Sequence, residues 1–167
     1  PRRRDPGTLY ERALEFWKAG NGDEAMNHLL AAREAAAERG DLDLQHRAPL
    51  TSAIVSRNMG HIRFAKQVLD DLLCEPLRDR ELIVRALVLS SSLWRVLGSN
   101  LMARMTIDHA RSMVRPDQHE LVAPVLHQAA KLAFEDGRLD DAEELVGYAL
   151  RHYRHLDDSY GEVRASV

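Results

Sequence analysis

An all-helical solenoid is the fold class this sequence predicts, and three observations predict it. One skeleton recurs four times: a glycine, an alanine five residues later, an aliphatic residue four after that, and another small or aliphatic residue three further on. The copies are Gly20/Ala25/Leu29/Ala32, Gly60/Ala65/Leu69/Leu72, Gly98/Ala103/Ile107/Ala110 and Gly137/Ala142/Val146/Ala149, with glycine-to-glycine steps of 40, 38 and 39 residues. Self-similarity at such a period marks units that bury their apolar faces against neighbours in a stack. A small residue (Ala13, Ala53, Ser91 or Ala130) also stands seven positions before each glycine. Finally, no stretch shows the two-residue alternation of a half-buried strand.

The spacing has a mechanical reading. Each copy carries one helix that ends at the glycine and a second that starts just after it. Small residues in both let antiparallel helices approach closely, and glycine accepts the left-handed conformation that ends a helix. Each copy is therefore expected to be a helical hairpin.

In chain order, Pro1 to Gly7 with Arg2, Arg3 and Arg4 is a polar lead-in. Thr8 and Glu11 offer a capping box for a first helix to about Ala19. Asn21, Gly22 and Asp23 form a turn, Asp23 caps, and the second helix runs to Arg39 before Gly40. The second hairpin spans Leu44 to Met59, turns at Gly60 and stops at Pro76. Pro49 should either delay its first helix to about Ala48 or kink it, because proline removes an amide donor. The third runs from a cap at Asp79 to Leu97, turns at Gly98 and Ser99, and ends before Pro116. In the fourth, Asp117 and Glu120 form a box-like cap, Pro124 is a second kink candidate, and the last helix reaches about Leu156. Ser159 with Glu162 announces a ninth helix.

These residues resemble the tetratricopeptide repeat family, whose unit has a small residue in its first helix, a turn glycine, and small, large and small apolar residues five, nine and twelve positions on. The likeness covers essentially the whole chain. It implies one domain over residues 1–167, a right-handed superhelix of four hairpins plus the ninth helix, with repeats at about 8–42, 43–78, 79–116 and 117–158. Units here exceed the family's usual length of about 34 residues, and only Pro76 and Pro116 approximate its closing proline. Lengthened units of this kind are similar to variants in bacterial transcriptional regulators and peptide-responsive sensors. Beginning at Pro1 and stopping where a helix starts, the chain reads as part of something longer.

Composition bounds the function. The 167 residues carry a formal charge of −3, which gives no bulk attraction to nucleic acid. One cysteine, Cys74, excludes an internal disulfide framework and suits a reducing, cytoplasmic setting. No apolar run approaches the ~20 residues of a membrane span, and no signal peptide is evident. Nor does the sequence offer a nucleophile beside a base, a phosphate-cradling glycine loop or clustered metal ligands, so no enzyme, cofactor or metal is expected. His152 and His155 lie one turn apart but make an incomplete metal site, and read as a solvated helix face. Cys74 reads as packed near a helix end, since no cation beside it would activate it.

The sharpest pattern outside the skeleton is basic. Arg47 and Arg57 reappear one 38-residue step later as Arg85 and Arg95, and residues 47–115 hold eleven Lys/Arg against six Asp/Glu, a balance of +5. By the family resemblance the first helices line a concave groove, on which Asn58 and Lys131 also fall, with Trp17 and Phe134 as walls. Phe16 and Trp94 occupy the position the family packs inside the hairpin. The groove should attract an acidic protein or peptide segment, because guanidinium holds carboxylate through two parallel bonds. Two other readings compete: the arginines pair with nearby acidic side chains, or the end hairpins self-associate and the groove is idle.

Overall fold

Eight helices and no strand make up residues 5–156, the part of the chain described by the computed structural model. They are α1 (Pro6–Lys18), α2 (Gly22–Arg39), α3 (Leu42–Asn58), α4 (Ile62–Cys74), α5 (Arg80–Val96), α6 (Asn100–Met113), α7 (His119–Glu135) and α8 (Leu139–His155). The arginine lead-in and the expected ninth helix lie outside the described residues. Two compact units divide the chain between Arg78 and Asp79, at the border expected between the second and third repeats.

The repeated skeleton is the core of both units. Of its sixteen apolar or small positions, all but the half-buried Val146 are buried. In the first unit α1 packs on α2, α2 on α3 and α3 on α4, while α1 also touches α3. Ala13, Ala25, Leu29, Ala48 and Val55 form a cluster there, with Tyr10, Phe16, Trp17, Met26 and Met59 packed around it. In the second unit α5, α6, α7 and α8 pack in the same sequential way, and α5 touches α7. Its most deeply buried side chains include Leu93, Ile107, Leu121 and Leu132. Where α5 crosses α6, the wholly buried Ser91 hydroxyl donates to the Ala103 carbonyl at 2.8 Å. This bond explains why serine stands where the other copies have alanine. It satisfies a hydroxyl whose burial without a partner would be costly.

The turns follow from glycine chemistry. At Gly98, with φ of 80°, the amide donates to the Arg95 carbonyl, and the Ser99 amide reaches back to Trp94. That pair of bonds satisfies carbonyls otherwise left open at a helix end. A side chain at Gly98 would meet no atom within 4 Å, so the cost of alanine there, about 1–2 kcal/mol, is backbone strain alone. The same pair of bonds recurs at the other three repeat glycines.

Several helix starts differ from expectation. Asp5, not Thr8, caps α1: its carboxylate accepts from the Thr8 amide at 3.0 Å, and Pro6 occupies the first turn, where a missing amide hydrogen costs nothing. Asn21 takes the cap of α2 by accepting from the Glu24 amide, leaving Asp23 in the first turn, where its charge favours the helix dipole. Asp41 caps α3, which runs unbroken from Leu42 through a buried Pro49. Likewise α7 runs through Pro124, and its cap is Gln118, with no side-chain capping bond; Asp117 pairs with Arg115 instead. Asp79 caps α5 as expected, accepting from two amides. Cys74, the last residue of α4, is exposed and not packed. Phe16 and Trp94 are only partly buried, because both stand within the last turn of their helices, beside the turn.

One polar cluster ties the first unit together. Glu75, just after α4, accepts from Arg33 of α2 at 3.0 Å, and its other oxygen lies 3.2 Å from Nε2 of His46 on α3. Three segments thus converge on one carboxylate.

Candidate functional site

The expected groove residues stand on the first helix of each hairpin: Trp17 on α1, Arg47, Arg57 and Asn58 on α3, Arg85 and Arg95 on α5, and Lys131 and Phe134 on α7. In the first unit Tyr10 of α1 shares a 2.8 Å hydrogen bond with Thr51 of α3. The Arg47 guanidinium stands 5.7 Å from the Tyr10 ring centroid and donates to Asp43 one turn earlier at 3.1 Å. That bond to Asp43 raises the Arg47 pKa further, so the side chain stays cationic at any relevant pH. Arg57 donates through Nε and Nη2 to the Asn58 side-chain oxygen, at 3.3 and 3.1 Å. Trp17 is half-buried against the Ala13–Val55 cluster, so its ring serves the core as well as the face.

In the second unit Arg85 is bound to Glu81, one turn earlier, with Nη2 at 2.7 Å. Arg47 and Arg85 therefore repeat as intrahelical ion pairs, each with an acidic residue four positions before it. Exposed pairs of this kind contribute about 0.3–0.5 kcal/mol. Arg95 differs, since its Nη1 crosses from α5 to Glu135 of α7 at 2.5 Å, with the side chains 25% and 34% exposed. Its Nε is buried and has no hydrogen-bond partner.

Around this inter-helix pair the face is mixed in character. Lys131, half-buried, lies one turn before Glu135 on α7. Phe134 is 66% exposed, the most exposed of the large apolar side chains among the described residues. Behind them sit buried Gln128 and Ser91, whose side chains approach at 3.5 Å. The structure thus places Arg95 and Glu135 in contact, with Lys131 and Phe134 on the same last turns of α7. Cation, anion and exposed ring are all available to a segment lying across α5 and α7.

Sequence reasoning missed Glu135, Tyr10 and Thr51. The acidic residues four positions before Arg47 and Arg85 were a readable signal for the intrahelical pairs. Glu135 gave none, because pairing across helices depends on how α5 sits on α7. Among the described residues, no group of three or more His, Cys, Asp or Glu side chains is arranged to hold a metal ion. No helix of the described residues is long and apolar enough to cross a membrane.

No protein-family model matches the chain, and no curated protein is significantly similar to it.

Proposed function

We propose that this chain is a non-catalytic binding module of tetratricopeptide-like repeats, four hairpins in a right-handed superhelix. Its first helices line a groove for an acidic protein or peptide segment, inside a larger cytoplasmic regulator of the kind bacteria use in transcription. The supporting observation is the α5/α7 face. There the largely exposed Phe134 stands beside Glu135, whose carboxylate holds Arg95 across the helices. Aromatic rings and arginines dominate the binding energy of protein interfaces, and an exposed ring gives no comparable return to folding. A segment with a carboxylate would compete with Glu135 for the Arg95 fork, and an apolar residue next to it would cover Phe134.

A second reading, self-association without a peptide ligand, draws on the exposed Leu101 and Met105, one turn apart on α6. One pair of measurements separates the two. A labelled peptide rich in Asp and Glu, with one aromatic residue, is titrated by fluorescence anisotropy at low and high salt while sedimentation velocity reports the mass. The module reading expects a monomer whose affinity falls as salt screens the contact over a Debye length of about 10 Å at 0.1 M. Self-association with no peptide uptake would replace it with the scaffold reading.

A further inference from the structure

Three imidazoles meet where α7 begins and α8 ends. His119 is the first residue of α7, and His152 and His155 belong to the last turns of α8. The Nδ1 atoms of His119 and His152 face each other at 2.7 Å, and the His119 and His155 rings stack with centroids 4.5 Å apart and planes 18° apart. An Nδ1-to-Nδ1 hydrogen bond requires one ring to donate its N–H and the other to keep its lone pair. The pair therefore accommodates no added proton, or one taken at a far nitrogen, but not protons on both facing atoms.

We propose that this cluster is a pH-responsive latch, which joins the start of α7 to the end of α8 when His119 and His152 share one Nδ1 proton and releases them when both are protonated. Among the described residues, no carboxylate forms an ion pair or hydrogen bond with any of the three rings, whether from α7 and α8 themselves or from α5 and α6 packed on α7. Arg151 on α8 adds positive charge, the Arg115–Asp117 pair before α7 is already closed on itself, and Glu120 is exposed. His119 also occupies the positive end of the α7 dipole, which opposes an imidazolium there. Burial, followed by the charges of His119, His155 and Arg151, holds the His152 pKa below its usual 6.5.

The sign follows from these groups. With its pKa depressed, folded His152 binds fewer protons than the unfolded chain below pH 6.5, so its contribution is complete above that value and is lost as pH falls beneath it. The latch does not depend on the peptide-binding reading, since none of its residues lies on the α1/α3 or α5/α7 faces.

The test follows the histidine ring nitrogens of the whole chain by NMR from about pH 8 to about pH 5, together with amide exchange at Ala149, Leu150 and Tyr153. The facing Nδ1 atoms should show a single shared proton at about pH 8, and His152 should take up its second proton below the ordinary imidazole value. Exchange at the three amides, corrected for intrinsic rates, should rise about tenfold per pH unit as the second proton is taken up. His119→Asn, whose amide donates or accepts at any pH, should flatten that dependence. Titration of His152 at the ordinary imidazole value, seen in the wild-type chain without any variant, would overturn the latch. So would an exchange profile identical in wild type and His119→Asn.

Discussion

Ala103→Leu is expected to lower the stability of the second unit by about 1–3 kcal/mol through overpacking. For a chain of this size that is a loss of about 2–4 °C in melting temperature per kcal/mol. Ala103 is wholly buried where α5 meets α6, and its carbonyl receives the Ser91 hydroxyl. Three added carbons have no space to enter without moving α5 from α6, and that motion stretches a buried hydrogen bond. Ala65→Leu, at the equivalent and equally buried position of the first unit, has no such hydroxyl behind it and should cost less within the same range. Differential scanning calorimetry of both variants checks the point. Wild-type stability in both would mean that the skeleton is not the crossing contact of each helix pair.

Reversing charge at Arg57 and Arg95 together is expected to abolish uptake of an acidic segment, and the single variants should differ in a way that locates the cause. Arg95→Glu sets a carboxylate against Glu135 in place of an ion pair. Both groups are a quarter to a third exposed, so solvent screening keeps the stability loss to about 1 kcal/mol. Arg57 donates to Asn58 beside the Gly60 turn, and Arg57→Glu should weaken binding of the acidic peptide. Affinity for the acidic peptide and melting temperature, measured on the two single variants and the double, give the answer. A double variant that melts far lower yet binds as well as wild type would make these arginines structural partners only.

Much of the fold was legible because its signal is local and repeated. The glycines fix left-handed turns, and the alanines at fixed distance from them mark crossings, so a period of about 39 residues carries both topology and core. Helix starts were less legible. Asp5 and Thr8, or Asn21 and Asp23, are both competent caps in sequence, and only the chain's path decides which side chain reaches a free amide. Pro49 allows either a helix that starts at about Ala48 or one that bends there, and the start at Leu42, with the ring itself buried, removes the first alternative. The candidate site was legible in its residue types and not in its pairings. Arg47 and Arg85 are matched within their own helices, whereas Arg95 reaches a residue forty positions away. His119 and His152 were equally out of reach of any pattern, being thirty-three positions apart and joined only by the packing of α7 on α8.

The central claim is that the α5/α7 face takes a ligand, and Phe134→Ala tests it most directly because the ring is 66% exposed and contributes little to the core. The acidic, aromatic-bearing peptide is titrated against wild type and variant at equal salt, with melting temperature as the control. Unchanged stability and at least a tenfold loss of affinity, about 1.4 kcal/mol, are expected, as for an interface anchor. Equal affinity in the two proteins would contradict the claim.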